Sequence, residues 1–253
     1  MRQFLYWILL ILGIHICGHA QEYPLIAVAN SSNVLQYQNA GKAEGPSVDI
    51  LTMLLDEADL SADIAFMPWT RALKTATTRP NTIIMTIVRT PEREDNFHWI
   101  AKVSDTVKSF ISLKENSTAV VSSFEQAKQK IVAVIRGSIS ETFLLEQEFS
   151  QDRNLFIVSN TNQAIQLLLN KKVDLVFCDP SVFYFYFAEK QLKSEEFIEV
   201  NTIEDTRKSG YIALSKGSDI AILNKLKAAQ RIIEKNQKYH NLVKYRPLLP
   251  TTD

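Results

Sequence analysis

Thr82-Ile83-Ile84-Met85-Thr86-Ile87-Val88, then Arg89, then Thr90-Pro91-Glu92-Arg93, is the stretch on which the fold turns. A short run of apolar and β-branched residues closed by a proline turn reads as a buried strand. Buried strands of this kind belong to parallel sheets covered by helices, and in open α/β sheets small ligands settle at the strand ends. Arg93 therefore stands where a guanidinium fork can hold a carboxylate through two parallel hydrogen bonds.

Outward from this strand, apolar runs alternate with helical patterns. Residues 24–29 read as a strand, 47–60 as a helix with Val48, Leu51, Leu54 and Leu55 on one face, 64–67 as a strand, and 69–77 as a second helix. Together they build a parallel sheet over the first hundred residues. Residues 110–113 read as a connecting strand. The pattern restarts after Asn116. Residues 122–128 read as a short helix with a capping box from Ser122 to Glu125, and 131–135 as a strand. A helix follows over 138–149, with Ser138 and Glu141 at capping-box spacing. A strand at 156–158, a helix at 162–170 and a strand at 173–177 complete this part. A strand at 210–214 and a long amphipathic helix carrying Ile220, Leu223, Leu226, Ile232 and Ile233 close the chain. The expected fold class is α/β in two lobes, each a mostly parallel sheet flanked by helices, joined by two hinge crossovers near 110–113 and 206–211. The expected division is a leader at 1–20, a first lobe at 21–110, a second at 111–207, and a return to the first at 208–253.

The leader is read from Arg2, the apolar run from Phe4 to Cys17, and the small residues of Gly18-His19-Ala20. This is the pattern of a cleaved secretory signal peptide, and about fourteen apolar residues fall short of the roughly twenty that span a bilayer. Lipidation at Cys17 is disfavoured because Ile16 stands where a small residue belongs. The expected product is a soluble, periplasmic, monomeric protein. Without the leader, Cys178 is the one cysteine; no intramolecular disulfide can form, and a thiol inside Val176-Phe177-Cys178 reads as a small core residue.

Composition excludes several function classes. Loss of Arg2 leaves 27 basic residues against 28 acidic ones, a balance that argues against a nucleic-acid partner. The five remaining glycines, at 41, 45, 137, 210 and 217, form no dinucleotide or phosphate loop, so no cofactor is expected. His98 and His240 stand far apart without a cysteine neighbour, so no metal site is expected either. No Gly-x-Ser-x-Gly elbow occurs.

Six segments in order resemble the periplasmic solute-binding proteins of family 3, the class that delivers polar amino acids to ABC importers. Gly45-Pro46-Ser47-Val48-Asp49-Ile50 is similar to the family's opening of the first helix, and Met67-Pro68-Trp69-Thr70-Arg71-Ala72-Leu73 to its aromatic-led second helix. Thr90-Pro91-Glu92-Arg93 matches its Thr-x-x-Arg segment. Val134-Ile135-Arg136-Gly137-Ser138 looks like its second-lobe strand-to-helix turn. Val173-Asp174-Leu175-Val176-Phe177-Cys178-Asp179 resembles the strand ending in its aspartate, and residues 209–217 the strand returning to the first lobe.

The resemblance implies a periplasmic-binding-protein fold of type II and a ligand cleft between the lobes. It implies that Arg93 holds a carboxylate and that Asp179 faces an ammonium. The free amides of Gly137 and Ser138 at a helix start would add donors. Tyr37 and Trp69 could stack on the ligand, while Arg71, Arg89 and Arg136 are further cations near the cleft. The expected function is capture of a small carboxylated solute, an amino acid or related compound, and hand-over to a membrane ABC permease. The alternatives are a sensing subunit for a membrane receptor, or an enzyme like cyclohexadienyl dehydratase, for which Glu92, Glu141 or Asp179 would be the acid or base.

Overall fold

The structure, a computed structural model, describes residues 23–31, 34–116, 120–190 and 197–244. The expected leader at 1–20, with Cys17, lies outside them. Strand β1 (Ile26–Ala29) is followed by a ribbon of β2 (Tyr37–Asn39) and β3 (Lys42–Glu44), then helix α1 (Pro46–Ala58), β4 (Asp63–Phe66), helix α2 (Trp69–Thr78) and β5 (Thr82–Val88). Both β4 and β5 pair in parallel with β1, Ile26 lying opposite Asp63 on one side and Thr82 on the other. Pro46 opens α1, where its missing N–H costs nothing, and the helix buries Val48, Ile50, Leu51, Leu54 and Leu55. It ends at Asp59 in the left-handed conformation (φ 49°), whose N–H is taken by the carbonyl of Leu55.

A 3-10 turn (Pro91–Asn96) leads into β6 (Phe97–Leu113), and the second lobe begins with α3 (Phe124–Ala127) and β7 (Val132–Ile135). It continues through α4 (Ile139–Glu146), β8 (Leu155–Val158), α5 (Thr161–Leu169), β9 (Leu175–Cys178) and α6 (Ser181–Lys190). Then β10 (Phe197–Ser215) returns to the first lobe, where α7 (Ile220–Ile233) and α8 (Gln237–Val243) end the described chain. No helix among the described residues is long and apolar enough to cross a membrane.

The expected α/β class is what the structure shows, with one difference in how the lobes join. Strands β6 and β10, 17 and 19 residues long, pair antiparallel from Phe97 opposite Ser215 to Leu113 opposite Phe197. This ribbon runs through both lobes and makes one eight-stranded sheet, ordered β4-β1-β5-β10-β6-β9-β7-β8. Sequence periodicity finds only their apolar ends at 110–113 and 210–214. Their middles carry Lys102, Asp105, Lys108, Glu204, Asp205, Arg207 and Lys208, and in β6 several of the buried positions between the charges are polar, Ser104, Thr106 and Ser109, so no unbroken apolar face betrays the strand. The ladder breaks between Ile203 and Lys208, where the Thr206 hydroxyl instead accepts from the backbone N–H of Lys108 at 2.8 Å.

Other elements also depart from expectation. Helix α6 lies in an aromatic run, Val182-Phe183-Tyr184-Phe185-Tyr186, whose residues are apolar all round and show no helical period. The capping box of α3 sits one residue later than Ser122 and Glu125. Ser123 accepts from the N–H of Gln126, whose side chain returns to the N–H of Ser122 at 2.7 Å. The C-terminal helix is two helices, because Asn236 caps a new start at α8. Buried clusters fall into two sets. One joins Leu51, Leu54, Met85, Ile212 and Leu226, with a neighbour around Ile84, Phe97 and Trp99. The other joins Ile165, Leu168 and Val176, with a neighbour in which Phe110 lies 4.7 Å from Phe177.

Candidate functional site

The parallel strands end on one side of the sheet, and there the two lobes face each other across a cavity of about 190 Å³. From the first lobe come the residues after β1, β5 and the 3-10 turn; from the second, those after β7 and β9. The lobes also touch directly. Trp69 at the start of α2 donates its indole N–H to the carbonyl of Gly137 at 2.8 Å. Gly137 has φ +68°, and a Cβ there would stand 3.0 Å from the Thr70 methyl, so glycine lets the β7–α4 turn approach α2 this closely.

Arg93 lines the cavity. Its guanidinium donates to the Val88 carbonyl at 3.2 Å and lies 5.6 Å from the Trp69 ring centre. Burial lowers its pKa against a smaller opposing pull from Glu92, although a guanidinium stays charged near neutrality. Among the described residues no carboxylate hydrogen-bonds to it. The charge is half-buried and has no hydrogen-bonded counter-ion, a costly arrangement unless something fills the cavity.

Asp179 lines the opposite wall, following β9 as expected. Its Oδ1 accepts from the N–H (3.0 Å) and hydroxyl (2.7 Å) of Ser181, and Oδ2 accepts from Thr106 at 2.5 Å. Three of the four lone-pair positions of a carboxylate are thus taken. Ser138 also lines the cavity, but its hydroxyl caps α4 by accepting from Glu141 at 3.2 Å, and its own N–H is bound to the Ile135 carbonyl. The N–H of Gly137 is closed off as well, by a short hydrogen bond to the Glu141 carboxylate. The two amides expected to be free are therefore satisfied. The donors left at the α4 start are those of Ile139 and Ser140, which helix geometry leaves without an intrahelical partner.

The remaining expected site residues lie elsewhere. Tyr37 does not line the cavity; its ring packs against Phe185 of the second lobe at 4.9 Å. Arg71 and Arg136 are exposed and off the cavity. Arg89 is exposed too, because it forks onto Glu94 and covers Trp99 at 5.4 Å. That hydrogen bond holds the Glu94 carboxyl below its usual range and raises Arg89 above its own.

Several cavity residues escaped sequence reading. Thr86 has φ +54°, unusual for a β-branched residue, at a break in the β5–β10 register. It is held there by its own bond to Gln36 at 2.6 Å and by Ser47 at 2.9 Å, and it lines the wall. Ser104, Thr106, Lys108 and Gly210 enter from the hinge strands. Only the strict alternation of Ser104, Thr106 and Lys108 along one strand face could have pointed to them. Cys178 borders the cavity, its Sγ donating to the Asp179 carbonyl at 3.4 Å, and burial pushes its thiol well above the ordinary range. The thiolate is correspondingly scarce. Cys178 should therefore react with a thiol-specific disulfide reagent at pH 8 far more slowly in the folded protein than in denaturant; equal rates would refute its inertness.

A family model of bacterial extracellular solute-binding proteins, family 3, matches residues 25–245. Among curated proteins no match is found. Solved structures share the fold. A histidine kinase sensor domain with similarity to periplasmic binding proteins has a TM-score of 0.74 at 15% identity, covering 86% of this chain and 93% of that one. An ancestral arginine-binding protein bound to arginine has 0.73 at 18%, covering 87% and 96%. The GluR0 ligand-binding core from Nostoc punctiforme, in complex with L-glutamate, has 0.70 at 21%, covering 87% and 97%. At such identities the likeness is one of fold alone.

Proposed function

Because the chain belongs to the bacterial extracellular solute-binding proteins of family 3, we propose that it captures a small carboxylated solute, an amino acid or a close relative, and delivers it to an ABC importer. The observation that carries this reading is the half-buried guanidinium of Arg93 at the cavity wall, with no carboxylate hydrogen-bonded to it among the described residues. A ligand carboxylate would supply the missing counter-charge through two hydrogen bonds. Asp179 would take an ammonium at its remaining acceptor position, and the amides of Ile139 and Ser140 would add donors from the second lobe. Trp69 would close the cavity from the side.

In this reading the lobes, 21–110 with 208–253 and 111–207, hinge about the β6–β10 ribbon and shut over the solute. The protein works in the periplasm after loss of its leader and turns nothing over. The cavity holds a single acid and no histidine among the described residues, which leaves proton transfer poorly served.

A thermal-shift screen of the purified protein against amino acids, dicarboxylates and short peptides tests the reading. A ligand present at about a hundred times its dissociation constant adds about 2.7 kcal/mol to the folded state. A selective rise in melting temperature with a carboxylated solute is expected. A flat response across the panel would sink the proposal, and loss of the solute to a product would replace binding by catalysis.

A further inference from the structure

The charges on the cavity wall reach beyond a single carboxylate clamp, and assigning them to a ligand rests on the solute-binding reading. Two cations line the cavity, Arg93 and Lys108, against one acid, Asp179. Lys108 comes from β6, and its ammonium donates to the Thr106 hydroxyl at 2.8 Å, the same hydroxyl that donates to Asp179. That uses one of its three donors. Among the described residues it forms no ion pair. A smaller adjoining cavity of about 40 Å³, which Lys108 also borders, adds Asp205 and Lys208, whose charges offset each other.

The acid is the more heavily committed partner. Asp179 already accepts from Ser181 twice and from Thr106 once. Ser104, only 2% exposed, also borders the cavity, and its buried Oγ, beside Gly210, has no hydrogen-bond partner. Buried polar atoms are rarely left so, which marks this stretch of the wall as unusual without adding a charge to it. A solute with a cationic side chain would meet two like charges and one occupied acid. One bearing two carboxylates would pair with both cations.

We propose that the cleft selects a small dicarboxylic solute, with Arg93 holding one carboxylate and Lys108 the other. An acidic amino acid would also offer an ammonium to the open acceptor of Asp179; a plain dicarboxylate would not. Lys108 is then the specificity-determining residue of the site.

Isothermal titration of the purified protein with L-glutamate, L-aspartate, succinate, L-glutamine, L-alanine and L-arginine tests this, repeated on Lys108→Met and Lys108→Arg. The expected result is that at least one two-carboxylate solute binds about tenfold or more tightly than any of the one-carboxylate solutes. Lys108→Met should collapse that ratio toward one, and Lys108→Arg, which restores the charge, should recover most of it. Tighter binding of glutamate and aspartate than of succinate would assign an acidic amino acid, and the reverse a plain dicarboxylate. If glutamine, alanine or arginine binds as well as the dicarboxylic solutes, or if the ratio survives Lys108→Met, the proposal is overturned while solute binding stands. If none of the panel binds, this proposal is overturned, and the wider thermal-shift screen decides whether the solute-binding reading falls with it.

Discussion

Arg93→Ala is expected to weaken binding of the carboxylated solute by two to nearly four powers of ten while leaving the melting temperature of the ligand-free protein almost unmoved. The size follows from removing one partner of a desolvated charge pair, which costs about 3–5 kcal/mol, with each 1.4 kcal/mol worth tenfold. The contrast with stability follows from the unliganded site. There the half-buried guanidinium has exchanged part of its water for one carbonyl, that of Val88, and a ring, that of Trp69. Its depressed pKa is the mark of that loss. A base whose pKa falls on folding opposes folding below its unfolded pKa, which covers all ordinary pH, so truncation removes a cost along with a modest contact. Titration calorimetry and a thermal melt of the same sample decide the matter. Unchanged affinity would remove Arg93 from the site, and a large drop in melting temperature would make it a structural residue instead.

Gly45→Ala is expected to cost about 2–6 kcal/mol of stability and to damage binding in the fraction that still folds. Gly45 has φ +115° and ψ 164°, a region open in practice to glycine alone and worth about 1–3 kcal/mol of strain to any other residue. A Cβ there would also lie 2.7 Å from the carbonyl oxygen and 2.9 Å from the carbonyl carbon of Leu35, both backbone atoms that cannot rotate away. Overpacking of that kind adds about 1–3 kcal/mol. The displaced segment matters to the site, since Leu35 and Gln36 line the cavity and Gln36 anchors Thr86. The carbonyl of Leu35 also receives the N–H of Ser47 at 2.8 Å, so the start of α1 and the cavity wall would shift together. Chemical denaturation measures the first effect and titration the second. A variant as stable as the parent would show that the 34–36 segment yields more easily than its contacts imply.

Local sequence carried much of this molecule because local physics decides much of it. A run such as Thr82–Val88 has no way to satisfy its apolar side chains except inside a covered sheet, and the helical spacing of Val48, Leu51, Leu54 and Leu55 leaves α1 one face to bury. Ser138 and Glu141 set their cap within four residues, and the structure keeps it, with the carboxylate reaching one residue further back to Gly137. Arg93 and Asp179 reach the cavity because strand ends do, whatever the neighbouring lobe adds.

Which other polar groups share that cavity was settled by tertiary structure. Arg89 stands four residues before Arg93 and carries the same charge, yet Glu94 and Trp99 draw it to the outside. Tyr37 is spent on Phe185, and the amides of Gly137 and Ser138 are taken by Glu141 and Ile135, so three plausible donors or walls are lost to neighbours that no spacing reveals. Lys108, Thr106 and Ser104 gained their places because β6 runs between the lobes and turns the face that carries them to the cavity. The chain alone thus determined the lobes and the two charges at the strand ends, since burial periodicity and chain direction are written residue by residue. The rest of the pocket was decided only when the lobes met, because a charge faces a cleft or leaves it according to which partner, distant in sequence, is close enough to claim it.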